Sequence, residues 1–332
     1  MALPAAAQDM PETEFNVVGS IGTLSMYTDK ELPFWTEQVP EETGGKIKAN
    51  VKPFTELGFK GGEIFRLVSN GTLQMATTVL AYNSGEVPMN ESTDLVGLLG
   101  SVEELAKVAE AWRPAFAEFL ETKHNIKLLG FGTYQAQVIY CRDEFTAIAD
   151  LAGRKVRASG ASQQAFVSSL GGSPVNMAFA EVSSSLASGV VDCAITGALS
   201  GYKAKWSESA RYISPMPVNF GLAAQLANLD WWNGLDASVQ AYLSEGLRGL
   251  EDSIFELAAT ETETGLACNT DGPCPHGDPA GMTLVPLTEA DEALRAEAVK
   301  TAILPAFAER CGAECVATWN ETIGAELGIT IE

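Results

Sequence analysis

The sequence has few of the side chains on which most catalytic and nucleic-acid-binding sites depend. Its 332 residues include only two histidines, and 21 Lys and Arg side chains stand against 43 Asp and Glu, so the formal net charge is −22. Nucleic acids and anionic lipid surfaces are bound by clustered cations, so we expect neither as a partner. No segment approaches the roughly 18 consecutive apolar residues that a membrane-spanning helix requires.

Motifs that mark common catalytic sites are also missing. The chain contains no H-E-x-x-H zinc motif, no G-x-S-x-G elbow, no Walker loop and no complete G-x-G-x-x-G; the G-F-G-T-Y-Q run from Gly130 lacks the third glycine. His124 and His276 both fall outside the predicted strand ends. We therefore expect no enzyme, no cofactor and no metal. The alternative, an enzyme that handles carboxylates, would need a general base that the sequence does not identify.

The composition that is present predicts a globular protein of two domains. Hydrophobic residues make up 46% of the chain and charged residues 19%, which is ordinary for a globular protein of this length. The large negative charge means that an anionic ligand must be captured by a local positive site against an unfavourable overall field. No pattern indicates an oligomer, so we expect a monomer.

Four of the six cysteines form two local clusters. Cys268 and Cys274 flank a Gly/Pro turn, and Cys311 and Cys315 lie four residues apart. Two local disulfides, or cross-pairing between the clusters, would both fit an oxidising compartment such as the periplasm. The remaining pair, Cys141 and Cys193, falls in predicted strands, where we expect buried thiols.

A metal site is the alternative interpretation of the late cysteines. It would use Cys268, Cys274, His276 and one of the last two cysteines. The spacing matches no zinc motif with a physical rationale. The first residues, M-A-L-P-A-A-A-Q-D-M-P-E, resemble the end of a secretory cleavage region, which predicts that most of a signal peptide is missing here. An ordinary disordered terminus is the alternative.

The stretch from Asp150 to Gly197 alternates three predicted strands with two predicted helices. Strand–helix–strand order predicts parallel strands joined by right-handed crossovers, and such sheets bind ligands outside the carboxyl ends of their strands. The strands are Lys155–Ala158, Val175–Met177 and Val190–Ile195, and the helices are Ala161–Leu170 and Glu181–Ser188.

The carboxyl ends of these strands carry side chains that suit a small anion. Arg157 lies at the first end, Met177–Phe179 follows the second, and Ile195 and Thr196 lie at the third. An arginine offers a planar fork that matches a carboxylate, and a nearby helix N-terminus adds partial positive charge. The sequence therefore predicts a small-anion site.

The amino-terminal half repeats this plan. The run N-G-T-L-Q-M-A-T-T (Asn70–Thr78) and the run S-G-V-V-D-C-A-I-T (Ser188–Thr196) both place a glycine before a buried strand and a threonine at its far end. Two similar α/β lobes that face each other would bring Thr78 and Thr196 to one ligand cleft. Further predicted strands are Phe15–Gly19, Ile47–Val51, Leu73–Val79, Leu128–Gly132, Gln137–Cys141 and Asn219–Leu229.

The remaining apolar patterns predict helices. The longest, Leu235–Leu266, has apolar residues three and four apart. We also expect a helix over Val96–Leu120 that is broken by Pro114, and a helix over Tyr202–Tyr212. Two final helices are predicted over Glu289–Glu309 and Ala313–Leu327.

The run G-R-K-V-R, followed by S-P-V-N-M-A-F-A-E-V and S-G-V-V-D-C-A, closely resembles the signature of the DctP family. These are the substrate-binding proteins of tripartite ATP-independent periplasmic (TRAP) transporters. The resemblance implies an α/β periplasmic binding protein with two lobes, each built from βαβ units, and a long helix spanning both. It implies lobes of residues 12–134 plus 219–255 and 135–218 plus 256–332, with the ligand cleft between them.

The same resemblance implies a function. The expected protein is a periplasmic solute receptor that binds a small organic acid and delivers it to the membrane subunits of a TRAP transporter. A ligand-sensing protein that feeds a membrane receptor uses the same fold, and the sequence does not separate the two. Which acid or zwitterion is bound also stays open.

The resemblance also implies ligand-binding residues. Arg157 matches the arginine of the family's K-[IV]-R motif, which pairs with the ligand carboxylate. Thr196 stands where many members have an asparagine that holds the ligand. Gln137, or Gln135 in a shifted register, falls near a second arginine of dicarboxylate- and sialate-type members. Its absence favours a ligand with one carboxylate. Tyr82, Phe179 and Phe220 are expected to form an apolar wall, with Thr78 and Met177 at the strand ends beside it.

Overall fold

The computed structural model describes residues 10–332. The secretory-type residues at the start of the chain lie outside this range. The described chain divides into two compact units, each with its own β-sheet. The first unit comprises the chain up to Val79, Pro114–Thr133 and Ala223–Leu257, and the second comprises Leu80–Arg113, Tyr134–Leu222 and Ala258–Glu332.

These boundaries differ from the expected ones mainly in residues 80–113, which the sequence placed in the first lobe. They belong to the second unit because two of their carboxylates are bound by its backbone. Glu91 accepts a hydrogen bond from the Ser162 backbone N–H (2.9 Å), and Asp94 accepts one from the Phe220 backbone N–H (2.8 Å).

Within residues 10–332, eleven strands form the two sheets. The first sheet has the order β2-β1-β3-β10-β4, and the second has the order β11-β9-β5-β8-β6-β7. In chain order the strands are β1 (Thr13–Gly19), β2 (Ile47–Pro53), β3 (Met75–Val79), β4 (Ile126–Gly132), β5 (Gln137–Cys141), β6 (Lys155–Ala158), β7 (Ser173–Asn176), β8 (Cys193–Gly197), β9 (Tyr212–Ser214), β10 (Ala223–Asn228) and β11 (Thr283–Leu284).

The two sheets share one plan, as the sequence predicted. In the first, β1 pairs in parallel with β2 and β3, and β10 runs antiparallel to both β3 and β4. In the second, β6 pairs in parallel with β7 and β8, and β5 runs antiparallel to both β8 and β9. Strands β3 and β8, which carry the two similar sequence runs, thus occupy equivalent places. The βαβ units and the α/β fold class are confirmed.

Helices connect the strands and form the carboxyl-terminal part of the chain. The long helix expected near Leu235–Leu266 is present, and it contributes its first part to the first unit and its last part to the second. The helices are Val39–Thr43, Ile64–Ser69, Val102–His124, Ala161–Ser169, Val182–Ser188, Ala198–Lys203, Leu229–Asn233, Ala237–Asn269, Glu289–Ala298, Leu304–Trp319 and Ala325–Leu327.

Two helix predictions are wrong in detail. Pro114 does not break the helix Val102–His124, which continues through it. The segment predicted as a helix over Tyr202–Tyr212 instead contains the end of the helix Ala198–Lys203, a 3₁₀ turn and the start of β9. The predicted division of the last helical region is confirmed, because the region is interrupted at Gly312, whose φ of 76° lies in the left-handed region that glycine tolerates.

The disulfides confirm one cysteine prediction and overturn another. Cys268–Cys274 and Cys311–Cys315 form local disulfides, which uses the thiols that the alternative metal site would need. Cys141 and Cys193 are not buried thiols but a third disulfide. They lie directly opposite each other on the antiparallel strands β5 and β8, a pairing that only the sheet register reveals. Within residues 10–332, no helix is long and apolar enough to cross a membrane.

Candidate functional site

One edge of the second sheet collects the residues that the sequence predicted for an anion site. It is formed by the carboxyl ends of the parallel strands β6 and β8 and by the amino end of the antiparallel strand β5. Arg157 of β6 lies opposite Ala194 of β8, and Gln137 of β5 lies opposite Gly197 of β8. Ala194 and Gly197 are three residues apart on β8, which corresponds to about 10 Å along the strand.

Arg157 is almost completely buried at this edge, with 1% of its surface exposed. Its Nε donates a hydrogen bond to the Met177 carbonyl (3.0 Å), and its Nη1 donates one to the Ile195 carbonyl (2.6 Å). The Tyr82 hydroxyl interacts electrostatically with the same guanidinium. A guanidinium has five N–H donors, which is more than these two carbonyls use. The backbone contacts hold the fork in one orientation.

The charge of Arg157 has no counterion within residues 10–332. Its recorded partners are neutral, and it is the only Lys or Arg among the buried residues. Burial lowers the pKa of the guanidinium from its ordinary value, whereas Tyr82 acts in the opposite direction. A buried charge without an opposite partner is costly in free energy. This arrangement therefore favours binding of an anion.

Tyr82 contributes a hydroxyl rather than only an apolar ring. It lies in the short helix Leu80–Asn83 that follows β3, and its side chain is half-buried. Burial raises the pKa of this phenol, and Arg157 opposes that rise. The phenol therefore stays protonated at neutral pH. The sequence predicted Tyr82 at the site but not this contact.

Three further predicted residues lie at the same edge. Met177 supplies the carbonyl oxygen that binds Arg157, and Thr196 follows the residue that supplies the other. Phe179 packs against the buried Trp206 ring, with centroids 5.6 Å apart. Trp206 in turn packs edge-on against Tyr140 (5.4 Å), which lies level with Arg157 across the sheet.

The two glutamines that competed for one predicted role have different environments. Gln135 serves the helix Ala198–Lys203: with its amide oriented to satisfy both donors, its oxygen accepts from the backbone N–H groups of Leu199 (3.0 Å) and Ser200 (2.9 Å). Gln137 instead lies at the edge of the sheet, where its Oε1 accepts from Gln163 Nε2 (2.9 Å).

Phe220 is 2% exposed and lies in the segment between β9 and β10, whose backbone is bound by Asp94. The Asp94 carboxylate accepts from the backbone N–H groups of Phe220 (2.8 Å), Gly221 (2.6 Å) and Leu222 (3.1 Å). Sequence reasoning missed Asp94, Gln163 and Asn219. No motif marks them, because they are brought together from three separate segments.

Thr78 belongs to the first unit, whereas the other predicted residues belong to the second. It is 1% exposed, and its hydroxyl has no hydrogen-bond partner within residues 10–332. The next hydroxyl, that of Thr77, donates to the buried carboxylate of Glu31, which also accepts from Ser20 Oγ (2.6 Å). Burial raises the pKa of Glu31. The sequence did not predict this carboxylate.

The family comparison identifies the kind of protein with this fold. The model of the bacterial extracellular solute-binding proteins, family 7 (DctP), matches residues 21–310. The C4-dicarboxylate-binding periplasmic protein DctP of Rhodobacter capsulatus is 28% identical over 286 residues, which cover 85% of this chain and 83% of that protein.

Solved structures show the same fold at lower identity. The Bordetella pertussis extracytoplasmic solute receptor DctP7, which binds pyroglutamic acid, superposes with a TM-score of 0.82 at 22% identity, covering 94% of this chain and 99% of that one. A TRAP periplasmic solute-binding protein from Desulfovibrio salexigens with bound orotic acid gives a TM-score of 0.81 at 18% identity, with 94% and 99% coverage.

Proposed function

This chain belongs to family 7 of the bacterial extracellular solute-binding proteins, and from that membership we propose that it is a periplasmic receptor for a small monocarboxylate. It binds the acid without converting it and delivers it to the membrane subunits of a TRAP transporter. The family membership supports the receptor role. The chemistry of the site supports the class of ligand.

The observation that carries the proposal is the buried, unneutralised guanidinium of Arg157. Its fork is held by the Met177 and Ile195 carbonyls, which use only part of its five N–H donors. A carboxylate matches such a fork through two parallel charge-assisted hydrogen bonds. Binding supplies the counterion that the described residues lack, so the ligand stabilises the folded protein.

A single carboxylate fits better than two. Arg157 is the only buried cation within residues 10–332, and Gln137 offers a neutral amide at the same edge. A second buried carboxylate would therefore lack a counterion. The pyroglutamic and orotic acids bound by the two structural relatives each carry one carboxyl group. The C4-dicarboxylates of the R. capsulatus relative are the less suited class.

A thermal-shift screen followed by calorimetry tests the proposal. The panel contains pyroglutamate, orotate, lactate, pyruvate, succinate, malate, amino acids and amines. We expect a monocarboxylate to stabilise the protein at low concentration and to be recovered unchanged. Stabilisation only by amines or neutral solutes would contradict the role of Arg157.

Replacement of Arg157 tests the residue itself. We expect Arg157→Ala to weaken binding roughly a hundredfold, which is about 2.7 kcal/mol, because truncating one partner of a buried charge pair costs about 2–5 kcal/mol. Arg157→Lys keeps the charge but loses the planar fork, so its affinity should lie between those of the wild type and of Arg157→Ala. Lys155→Gln is the matched control: it removes a positive charge from an exposed position of the same strand. Equal affinities of Arg157→Ala and Lys155→Gln would refute the assignment.

A further inference from the structure

Four polar side chains form a continuous hydrogen-bonded chain in the second unit. Asn219 Nδ2 donates to Asp94 Oδ2 (2.9 Å), and Asn219 Oδ1 accepts from Gln163 Nε2 (2.8 Å). The same Gln163 nitrogen donates to Gln137 Oε1 (2.9 Å). All four residues are at least nine-tenths buried. We call this set, Asp94–Asn219–Gln163–Gln137, the amide relay.

Asp94 determines which atoms of the relay donate hydrogen bonds and which accept them. Burial raises the pKa of its carboxyl group to about 6, so it is ionised at neutral pH and can only accept hydrogen bonds. It faces three backbone N–H groups and the amide of Asn219, with no cation among these partners. Asn219 must therefore present its nitrogen to Asp94 and its oxygen to Gln163.

Gln163 passes this direction on to Gln137. Its Oε1 is occupied by the backbone N–H (2.8 Å) and the hydroxyl (3.1 Å) of Ser159, two residues beyond Arg157. Its nitrogen must therefore face Asn219 and Gln137, and both of its hydrogens are used. As a result, the Gln137 oxygen is an acceptor within the relay, and the Gln137 nitrogen faces away from it.

The outward nitrogen of Gln137 is an unused donor. It has no acceptor within residues 10–332, although the side chain is only 6% exposed. Space for it is left by Gly221, where a Cβ atom would lie 2.3 Å from Gln137 Nε2 and where φ is +81°. The nitrogen is not fully enclosed by protein, so a ligand oxygen can reach it. The amide is thus oriented and held without a protein partner.

We propose that Gln137 Nε2 is a specificity-determining contact that donates a hydrogen bond to a neutral oxygen of the ligand, and that Asp94, Asn219 and Gln163 position it. This inference rests on the proposed function, since Arg157 holds the ligand carboxylate. The preferred ligands are small monocarboxylates that also carry a carbonyl, lactam or hydroxyl oxygen. A second carboxylate is disfavoured, because the relay offers it no cation and begins at a buried negative charge.

Matched acids with and without the acceptor oxygen test the contact by calorimetry. The pairs are L-pyroglutamate with cyclopentanecarboxylate, and lactate and pyruvate with propionate. The wild-type protein should prefer the oxygen-bearing member of at least one pair by tenfold or more, which is the order of one buried hydrogen bond. In Gln137→Met, which keeps the length of the side chain without the amide, this preference should fall to within about twofold of unity.

Gln164→Met is the matched control, since it makes the same substitution one residue beyond Gln163 at a half-buried position outside the relay. It should keep the wild-type preference. An unchanged preference in Gln137→Met, or equal wild-type affinity for both members of every pair, would overturn the inference while leaving the Arg157 assignment intact. If Arg157→Ala binds every acid as tightly as the wild type does, the proposed function itself fails. A wild type that binds none of the probes overturns both.

Asp94→Asn tests the positioning role. The new amide can donate as well as accept, so the relay no longer has one direction, and the preference for the oxygen-bearing acid should fall at least fivefold. Equal losses for both members of a pair would indicate a merely structural role and overturn the positioning part. If Asp94→Asn does not fold, Gln163→Met removes both relay donors and carries the same expectation.

Discussion

At the scale of single residues, two buried charged groups of the second unit have no opposite charge among their hydrogen-bond partners within residues 10–332. Arg157 is held by backbone carbonyls and Tyr82, whereas Asp94 is held by backbone N–H groups and Asn219. Each is satisfied by neutral partners rather than by an opposite charge. The cation is therefore available to an anionic ligand, and the carboxylate fixes the orientation of its neighbours.

The titration of Asp94 should be visible in the pH dependence of stability. Its folded pKa of about 6 lies above the ordinary 3.8, so the folded state holds this proton more tightly than the unfolded state does. The stabilisation that comes from this tighter proton binding is complete below pH 3.8 and is lost as the pH rises through 6. Between these limits we expect Asp94 to reduce the free energy of unfolding by about 3 kcal/mol.

Denaturant unfolding of the wild type and of Asp94→Asn from pH 3.5 to 7.5 measures this effect. Glu31 and Glu91 also have raised pKa values because they are buried, so the informative quantity is the difference between the two proteins at each pH. The wild type should lose stability relative to the variant between pH 4 and pH 6. A difference that is constant over the whole range would contradict the prediction.

At the scale of elements, the strands of the second sheet are joined by a covalent bond as well as by hydrogen bonds. The disulfide Cys141–Cys193 links β5 to β8 at positions that face each other. These are the two strands that carry Gln137 and Thr196 at their other ends. The bond therefore supports the register that positions the site.

Removal of this disulfide should destabilise the protein more than removal of the shortest one. Cys141 and Cys193 are 52 residues apart, whereas Cys311 and Cys315 are four apart. In the chain-entropy model a loop of the first length contributes about 4 kcal/mol and one of the second about 2 kcal/mol. Equilibrium denaturation of the Cys141→Ala/Cys193→Ala variant should show the larger loss.

The Cys311→Ala/Cys315→Ala variant is the control, because it also removes two sulfur atoms and one cross-link. A larger loss in this control would show that loop length does not determine the effect. Ligand affinity gives a second measurement: the first variant should bind more weakly if β5 and β8 shift, whereas the control should bind as the wild type does.

At the scale of the whole molecule, the net charge of −22 opposes the compact state. Charges of one sign repel each other, and salt screens them over a Debye length that falls from about 30 Å at 0.01 M to about 8 Å at 0.15 M. We therefore expect the Tm to rise between these salt concentrations. A gain of about 1 kcal/mol would correspond to roughly 2 °C for a chain of this size.

Thermal unfolding in NaCl and in KCl at matched ionic strength checks this expectation. Screening depends on ionic strength and not on the identity of the monovalent cation, so both salts should give the same increase. A Tm that stays constant or falls would show that like-charge repulsion does not limit stability. The screen for ligands should accordingly be run at one fixed ionic strength.

The sequence by itself determined the fold class and the main anion-binding candidate. Glycine stops, short apolar runs and strand–helix alternation are local signals, so they predicted the βαβ units and placed Arg157 at a strand end. The same local logic failed at Pro114: a proline removes one backbone hydrogen bond and its ring crowds the preceding turn, but the packing of the buried face keeps the helix Val102–His124 continuous.

Only the tertiary structure decided which cysteines and which buried polar residues are in contact. The disulfide Cys141–Cys193 and the amide relay join residues that are 26 to 125 positions apart. Such contacts depend on strand register and on which polar groups are buried together. Local sequence patterns contain neither kind of information. In the amide relay, Asp94 orients Gln137 through Asn219 and Gln163, and no rule of sequence spacing relates these four residues.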